Sequence, residues 1–252
     1  MLKKQTEQKL RKMGMGAVAD AADAMGGAAS SLSKEEWLEI LVDRLYDEKM
    51  AKKLDNLIKA AHFSQPDAYI EDLITDPDRM LDVGLIDRLA AGEFTAKHHD
   101  VVIMGAAGSG KSWLTCALGI SACRRFEKVE YVCTQDLVDE LLVLRQNPEA
   151  RKKRMKQLVN RDVLIADDWL CKETDIDALD DMFAVVDKRS RAKRPTMFCS
   201  QFLIEGWASR MGGYPEAESI VDRIKNNSYK LELKGEISMR ERCMAEELRQ
   251  NA

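Results

Sequence analysis

Residues 105–112 carry the letters GAAGSGKS, which match the phosphate-loop pattern G-x-x-x-x-G-K-[ST] at every fixed position. The apolar run DVVIM at 100–104 precedes them with the composition of a buried strand, and WLTCALGISAC at 113–123 follows with that of a helix. A strand, a glycine-rich turn and a helix in this order place a helix N-terminus, with its inward-pointing N–H groups, against bound phosphate. We therefore expect a nucleoside triphosphate site here.

Each residue type in this loop has a chemical reason. Glycine lets the backbone curl so that its N–H groups point at the phosphates, and no Cβ blocks their approach. Lys111 supplies a positive charge for the outer phosphates, and the Ser112 hydroxyl is a ligand for the magnesium ion that bridges them. The residues expected to bind the nucleotide are Gly105, Ala106, Ala107, Gly108, Ser109, Gly110, Lys111 and Ser112.

A pair of aspartates follows a second apolar run, about fifty-five residues further along. The run VLIA at 163–166 predicts a fully buried strand, and Asp167 and Asp168 come directly after it. Ligands of open α/β sheets bind at the carboxyl ends of the strands. We expect Asp167 to hold magnesium together with Ser112, and Asp168 to orient or deprotonate the attacking water. The alternative is that either aspartate only caps the following segment.

Three more strands are predicted, at 129–133, 195–200 and 229–233, with helices between them. Five strands and intervening helices predict a doubly wound sheet. Ser200 and Gln201 end the fourth strand in sequence order. Their side chains could contact the attacking water or the γ-phosphate only if that strand lies between the phosphate-loop strand and the Asp167 strand. Otherwise they are polar residues at a strand end without a catalytic role.

Arg223, in the run IVDRI at 220–224, is the candidate arginine finger. A guanidinium can neutralise charge that develops on the γ-phosphate of a neighbouring subunit's nucleotide. The alternative is an arginine on the surface without this role.

Composition and charge limit the class of protein. The chain has 252 residues, a net charge of −4, and no run of 18 apolar residues. Its first eight residues, MLKKQTEQ, lack the apolar core of a signal peptide. We expect a cytoplasmic protein without a membrane segment. Six cysteines without C-x-x-C spacing predict small core residues rather than disulfides or a zinc site.

Two basic runs interrupt the nearly neutral composition, at 151–156 and 188–194. Both are dense enough to contact DNA phosphates if they share a face. The first lies on an extra helix, beyond the single crossover helix that a minimal phosphate-loop unit needs before its next strand. The alternative for each run is a solvated helix face. The candidate DNA contacts are Arg151, Lys152, Lys153, Arg154 and Lys156.

The first 75 residues predict a separate, small helical domain. Helical periodicity covers 5–25 apart from Gly14 and Gly16, and a turn follows at 26–31. Ser33 and Glu36 form a capping box for a helix that runs to about Ala61. We assign residues 1–75 to a partner or assembly domain and residues 76–252 to the nucleotide domain. The alternative is a helical extension packed on the main core.

With these motifs the chain resembles, over nearly its full length, the IstB family of transposition helper ATPases. This family lies in the AAA+ branch that also holds DnaC-type helicase loaders. The similar stretches are 105–125, 162–169, 200–201, 220–228 and 232–240, together with the layout of the N-terminal helices. The resemblance implies an α/β fold: an AAA+ phosphate-loop core with a five-stranded parallel sheet, in which Ser200 and Gln201 lie between the phosphate loop and Asp167.

The resemblance also implies function and partners. It implies ATP and Mg²⁺ as cofactors, ATP-dependent assembly of a homo-oligomer on duplex DNA, remodelling of that DNA, and recruitment or activation of a transposase. Asp168 stands where many relatives have glutamate, Leu170 where they often have glycine, and Ile237 interrupts the closing motif. Because the chain ends soon after the last strand, we expect no C-terminal lid domain and no sensor arginine on a lid.

Two other functions remain open at this stage. A helicase loader has the same chemistry and a different protein partner, although the absence of cysteines before Cys116 excludes a zinc-bearing N-terminal domain. A DNA-coating scaffold would bind ATP to polymerise and hydrolyse it negligibly, and the shorter Asp168 side chain is compatible with that function. A small-molecule kinase is disfavoured, because nothing after the core resembles a lid for an acceptor substrate.

Overall fold

The computed structural model describes residues 2–26, 32–172, 176–235, 238–242 and 244, with the backbone alone for 176–179. The expected turn at 26–31 therefore lies outside the described residues apart from Gly26, as do Ile237 and Cys243. The chain divides into two compact units, Met1–Asn56 and Leu57–Ala252. No helix within the described ranges combines the length and apolar character needed to cross a bilayer.

The N-terminal unit is helical, as the sequence predicts. Its helices are α1 (Lys4–Lys12), α2 (Gly16–Met25) and α3 (Lys34–Ala61), the last of which continues beyond Asn56. The capping box at the start of α3 is confirmed: the Ser33 hydroxyl accepts from the Glu36 N–H at 3.1 Å, and the Glu36 carboxylate accepts from the Ser33 N–H at 2.8 Å. The small core of this unit consists of Val18, Ala22 and Leu41, with Leu10, Met15, Trp37 and Leu45 packed against them.

The larger unit contains the predicted five-stranded parallel sheet. The strands are β1 (Asp100–Gly105), β2 (Val129–Cys133), β3 (Val163–Asp167), β4 (Thr196–Ser200) and β5 (Ser228–Leu233). Their order in the sheet is β2-β3-β4-β1-β5, and every neighbouring pair is parallel. Strand β5, the last in sequence order, thus lies next to β1, and β4 lies between β1 and β3. The family resemblance implied this position of β4.

Helices cover the sheet and connect its strands. They are α4 (Val83–Ala90), α5 (Glu93–Lys97), α6 (Lys111–Arg124), α7 (Thr134–Leu144), α8 (Pro148–Asn160), α9 (Ile176–Arg191), α10 (Trp207–Arg210) and α11 (Pro215–Asn226). The expected extra helix before β3 is present as α8. It begins at a proline and is capped by Asn147, whose side chain accepts from the Ala150 N–H at 3.1 Å.

The core of the larger unit lies on both faces of the sheet. All five residues of β3 and of β4 are buried, which explains the apolar runs VLIA at 163–166 and MFC at 197–199. On one face Trp169, Phe198 and Trp207 form an aromatic cluster with ring centroids 4.8–6.0 Å apart. Of the cysteines that the structure describes, Cys116, Cys123 and Cys199 are buried, in agreement with the predicted core residues.

Residues 57–75 belong to the larger unit, so the boundary at Asn56 lies earlier than the 75/76 boundary expected from the sequence. Phe63 and Ala68 are buried. The Phe63 ring packs against Gly119 of α6, where an added Cβ would lie 2.5 Å from the ring. Arg124, at the end of α6, donates to Glu71. These contacts tie the segment to the phosphate-loop helix.

Candidate nucleotide-binding site

The phosphate loop joins β1 to α6 and has the predicted strand–turn–helix geometry. Gly110 has a positive φ of 91° and begins α6, and Gly108 has a φ of 79°. A side chain at Gly108 would also clash, since its Cβ would lie 2.4 Å from the Ser238 Oγ. Glycine is therefore required here for both backbone conformation and space. The loop directs the N-terminus of the 14-residue helix α6 toward the site.

The charged side chain of the loop fits a bound polyphosphate. The Lys111 Nζ donates to the Ala106 carbonyl at 2.9 Å, so the ammonium lies across the loop, and Lys111 lines the cavity. The Ser109 Oγ is buried without a hydrogen-bond partner among the described residues, but Ser109 does not line the cavity. Lys111 and the helix N-terminus together form a site for an anion.

Asp167 ends β3 as a buried, firmly oriented carboxylate. Its Oδ2 accepts from the Tyr131 hydroxyl, and its Oδ1 accepts from the Asp168 N–H at 3.0 Å. Burial, and then the hydrogen bond to Asp167, raise the pKa of Tyr131, which keeps this hydroxyl a donor. Tyr131 was not predicted from the sequence, because a tyrosine within a strand does not show which neighbouring strand its hydroxyl reaches.

Asp168 lies at the turn after β3 and lines the same cavity as Lys111. Its φ is 51°, in the left-handed region that aspartate tolerates better than most residues. Partial burial, and then the neighbouring Asp167 carboxylate, raise the pKa of Asp168, while Lys111 lowers it. A carboxylate with a raised pKa is a better proton acceptor than an ordinary surface aspartate.

Because β4 lies between β1 and β3, it carries Ser200 and Gln201 to the phosphate-loop edge of the sheet. Gln201 lines the cavity. Ser200 is buried, and its hydroxyl donates to the Trp169 carbonyl at 2.8 Å and accepts from the Phe202 N–H at 3.2 Å. The Ser200 side chain thus holds the turn after the aspartate pair, and Gln201 is the member of this pair that faces the site.

The cavity at this edge has a volume of about 490 Å³. Several of the residues predicted from the sequence line it. Residues that were not predicted, mostly from the segment 65–79 and from beyond β5, line it as well. The predicted residues that line it are Ala107, Gly108, Gly110, Lys111, Ser112, Asp168 and Gln201, and the others are Gln65, Asp67, Asp72, Leu73, Ile74, Arg79, Trp113, Met239 and Arg240.

Arg79 is one of the residues missed by the sequence analysis. It is 3% exposed, and its guanidinium donates to the Ile74 carbonyl and, at 3.1 Å, to the Ser109 carbonyl of the phosphate loop. Burial lowers the pKa of Arg79. Arg79 follows Asp76-Pro-Asp, a sequence typical of a linker. No local pattern indicates that Arg79 supports a loop thirty positions away.

Arg223 lies on α11 and is not among the residues that line the cavity of its own chain. Its guanidinium forms an ion pair with Asp187 of α9, and it lies 5.8 Å from the centroid of the Phe183 ring. Asp187 is also paired with Arg191 at 2.9 Å. Arg223 therefore lies away from the Lys111 site, on α11, and its guanidinium is paired with a carboxylate of α9.

The two basic runs meet in a groove between α8 and α9, with a volume of about 790 Å³. Within it, Arg151 is paired with the buried Asp181, and Arg191 with Asp187. Lys152, Lys156 and Lys188 are exposed, and their ammonium groups have no carboxylate partner in the described ranges. We call these three residues the groove lysines.

Two predicted DNA contacts lie outside the groove. Arg154 binds Glu130 and Glu140, so its charge is largely satisfied within the chain. Lys153 is exposed and does not line the groove.

Solved structures with a similar fold include DnaI and DnaA. The crystal structure of DnaI aligns with a TM-score of 0.58 and 20% identity, over 71% of this chain and 94% of that one. The AMPPCP-bound structure of DnaA from Aquifex aeolicus aligns with a TM-score of 0.60 and 16% identity, over 73% of this chain and 55% of that one. At such identities the similarity shows the AAA+ fold alone.

Sequence relatives are more specific. An insertion sequence ATP-binding protein of Sinorhizobium fredii is 33% identical over 248 residues, which cover 98% of this chain and 99% of the relative. The family model of IstB-like ATP binding proteins matches residues 6–246. This match includes the phosphate loop, both aspartates after β3 and the segment beyond β5. The chain therefore belongs to the family of IstB-like ATP binding proteins.

Proposed function

We propose that this protein is a magnesium-dependent ATPase that assembles on duplex DNA and recruits or activates a transposase. One observation carries the ATPase part. Lys111, Ser112, Asp168 and Gln201 line one cavity at the edge of the sheet where β4 separates β1 from β3, and the buried Asp167 carboxylate directly precedes Asp168 at the end of β3. Phosphoryl transfer needs these groups and little else, because its catalysis consists mainly of positioning and electrostatic stabilisation.

The residues divide the work of ATP hydrolysis. The loop N–H groups and Lys111 bind the phosphates, and Ser112 and Asp167 would hold Mg²⁺, which would neutralise charge on the phosphate oxygens. Tyr131 and the Asp168 N–H fix the orientation of the Asp167 carboxylate. Asp168 accepts a proton from the attacking water, and Gln201 orients that water. Ser200 acts through the backbone, by holding the turn that follows Asp168.

The DNA partner is inferred from charge. The groove lysines place three uncompensated positive charges along two neighbouring helices, although the chain as a whole is slightly acidic. Such a surface binds the phosphate backbone and reads little sequence. We therefore propose weakly sequence-specific, strongly salt-dependent binding of duplex DNA in the cytoplasm.

The names of similar proteins, which refer to insertion sequences, support a transposase as the protein partner. The protein from Sinorhizobium fredii is aligned over essentially its whole length, and its name places it in an insertion sequence. A helicase loader is the second candidate, because the fold is similar to that of the DnaC helicase loader. A DNA-coating scaffold with negligible hydrolysis is the third, because Asp168 is one methylene shorter than glutamate. In the proposed cycle, ATP binding drives oligomerisation on DNA and hydrolysis resets the assembly.

Sedimentation of the full chain with duplex DNA tests this proposal. The samples compare no nucleotide, ADP and a non-hydrolysable ATP analogue at one stated salt concentration. A large protein–DNA assembly that requires the analogue is expected. Assembly that depends on nucleotide but not on duplex DNA would favour the helicase loader. Absence of any assembly would contradict the oligomeric mechanism, and DNA-bound assembly without measurable ATP turnover would favour the scaffold.

A further inference from the structure

The turn that follows β3 has an unusual backbone conformation. We call residues 168–171 the Asp168 turn. Asp168 and Leu170 both have a positive φ, of 51° and 60°, in the left-handed region that L side chains rarely adopt. Asp168 lines the cavity, whereas Trp169 and Leu170 are buried. A turn with two such residues persists only when its surroundings hold it. The position of the Asp168 carboxylate therefore depends on the groups that hold this turn.

Strand β4 holds the middle of the Asp168 turn. The Trp169 N–H donates to the Cys199 carbonyl at 2.8 Å, and the Ser200 hydroxyl donates to the Trp169 carbonyl at 2.8 Å. Within the turn, the Cys171 N–H donates to the Asp168 carbonyl at 3.1 Å. None of these bonds uses the last two carbonyl groups of the turn, which are held from another direction.

Arg210, at the end of α10, holds the last part of the Asp168 turn. Its Nε donates to the Leu170 carbonyl at 3.0 Å, and its Nη2 donates to the Cys171 carbonyl at 3.4 Å. The central carbon of the guanidinium lies 3.7 Å from the centroid of the Phe202 ring. Arg210 has no carboxylate partner in the part of the chain that the structure describes. Its contacts there are the turn and the ring.

The ring next to Arg210 belongs to the turn that follows β4. Phe202 comes directly after Gln201, which lines the nucleotide cavity. The Phe202 N–H donates to the Ser200 hydroxyl at 3.2 Å, and the Phe202 carbonyl accepts from the Trp207 Nε1 at 3.0 Å. A guanidinium over an aromatic face is attracted by the ring. Arg210 therefore connects this turn to the Asp168 turn, and we call the connection the Arg210 bridge.

Helix α10 gives the guanidinium a firm base. Trp207, which begins α10, and Met211, which follows it, are both fully buried. They lie in one hydrophobic cluster with Ile220 and Ile224 of α11. Because the chain is anchored in the core on both sides of Arg210, the core fixes the place from which the guanidinium reaches the two turns.

We propose that Arg210 is a positioning residue for ATP hydrolysis, which holds Asp168 and Gln201 in a fixed relation across the cavity. This inference rests on the proposed ATPase function of the same site. Arg210 does not line the cavity, so it acts through the two turns. Phosphoryl transfer depends on the placement of the base and of the group that orients water. Loss of the Arg210 bridge should lower the rate of hydrolysis without weakening nucleotide binding, which depends on the phosphate loop.

Steady-state ATP hydrolysis by Arg210→Gln tests the bridge, with Arg125→Gln as the matched control. Arg125 follows α6 at the end opposite the phosphate loop, and its guanidinium also donates to two backbone carbonyls, those of Ala90 and Ser121. We expect kcat of Arg210→Gln to fall about tenfold or more, because small displacements of catalytic groups are costly. The Kd of a non-hydrolysable ATP analogue should stay within about twofold of wild type. Arg125→Gln should keep the wild-type kcat.

Further variants separate positioning from general destabilisation. Arg210→Lys keeps the charge and one donor for the turn, so it should recover part of the lost kcat. Phe202→Leu removes the ring, and it should lower kcat less than Arg210→Gln does. In the double variant Arg210→Gln/Phe202→Leu the second change should add nothing, because both changes remove the same bridge. Additive losses would show that the two turns are held separately and would overturn the Arg210 bridge.

Hydrogen exchange provides a measurement that does not depend on hydrolysis. The amides of Trp169 and Cys171 are bonded to backbone carbonyls, so their exchange reports on opening of the Asp168 turn. We expect peptides with these two amides to exchange several times faster in Arg210→Gln than in wild type or in Arg125→Gln. Wild-type exchange in Arg210→Gln would contradict the inference that Arg210 holds the turn.

Failure of this inference can be distinguished from failure of the proposed function. A wild-type protein that hydrolyses no ATP, with or without duplex DNA, would contradict the ATPase proposal, and the role of Arg210 in hydrolysis would fall with it. A wild-type protein that hydrolyses ATP, combined with an unchanged kcat in Arg210→Gln or an equal loss in Arg125→Gln, would overturn only the positioning role of Arg210.

Discussion

At the scale of single residues, neighbouring charges determine what each carboxylate can do. Asp167 and Asp168 are adjacent in sequence but differ in environment. Asp167 is buried and receives two hydrogen bonds, whereas Asp168 faces the cavity with a raised pKa. Two like charges so close together cannot both be ionised without cost, so their environments separate their tasks. The buried member suits a metal ligand, and the cavity member suits a proton acceptor.

Replacing Asp168 with asparagine tests this division of work. The amide keeps the size of the side chain but cannot accept a proton from water. We expect Asp168→Asn to bind ATP with wild-type affinity and to hydrolyse it at least about 100-fold more slowly. Steady-state phosphate release and analogue titration measure both quantities. Wild-type turnover in this variant would contradict the assignment of Asp168 as the base.

Asp100 predicts a pH dependence of stability. It is half-buried at the start of β1, where its carboxylate accepts from the Thr196 N–H at 2.7 Å. Burial raises the pKa of Asp100 to about 7, despite the opposing effect of that hydrogen bond and of Arg189. Between the ordinary aspartate pKa and pH 7, the unfolded chain has lost this proton and the folded chain keeps it. The contribution of Asp100 to stability therefore falls as the pH rises through this window.

The measurement is urea unfolding at several pH values. Asp100→Asn keeps an acceptor for Thr196 and cannot ionise, so it should gain stability relative to wild type as the pH rises from about 4 to about 7. The gain is at most about 1.4 kcal/mol per pH unit. Asp87→Asn, at an exposed position of α4, is the control and should run parallel to wild type. Parallel curves for Asp100→Asn would contradict the raised pKa.

At the scale of elements, α8 and α9 assemble a surface that neither helix has alone. Lys152 and Lys156 are one turn apart on α8, and Lys188 comes from α9. The arginines of the same runs are mostly held by Asp181, Asp187, Glu130 and Glu140. A basic run in the sequence therefore overstates the charge that is free to meet DNA, and the tertiary structure selects the lysines.

The groove lysines should dominate the salt dependence of DNA binding. We expect the triple variant Lys152→Gln/Lys156→Gln/Lys188→Gln to bind duplex DNA more weakly and to lower the slope of log affinity against log salt by about 2 to 3. The control replaces three exposed lysines elsewhere, Lys128, Lys172 and Lys225, with glutamine. Fluorescence anisotropy over a salt series measures the slopes. Equal slopes for the two triple variants would place the DNA elsewhere.

At the scale of the whole molecule, the separation of Arg223 from the cavity of its own chain predicts shared active sites between subunits. Arg223→Ala should bind ATP and hydrolyse it at least about 100-fold more slowly. Adding Lys111→Ala subunits, which keep Arg223 but cannot hold nucleotide, should restore part of the turnover. Phosphate release from a series of mixtures measures this rescue.

The ion pair of Arg223 with Asp187 provides a matched control. Asp187→Asn removes the pair but keeps the guanidinium, so it should retain hydrolysis. If Asp187→Asn lost as much activity as Arg223→Ala, or if no mixture showed rescue, Arg223 would be a structural residue of its own chain.

The sequence predicted the five strands, the phosphate loop and the aspartate pair because each depends on residues that are adjacent in the chain. An apolar run, a glycine at a required φ and a helix start are all local patterns. Helix α8 was also predicted, from the helical pattern at 148–159. The position of β4 between β1 and β3 is not a local property, and it followed from the family resemblance rather than from periodicity.

By itself, then, the sequence determined that this chain has a phosphate loop followed by a strand that ends in two carboxylates, because strand, turn and helix chemistry are encoded locally. Only the tertiary structure decided that Arg79 and Met239 meet at that loop, that Tyr131 orients Asp167, and that Lys188 joins the lysines of α8. These contacts join residues about 30 to 131 positions apart. Hydrogen bonds and ion pairs at such separations depend on how the elements pack, and no spacing of residues along the chain encodes them.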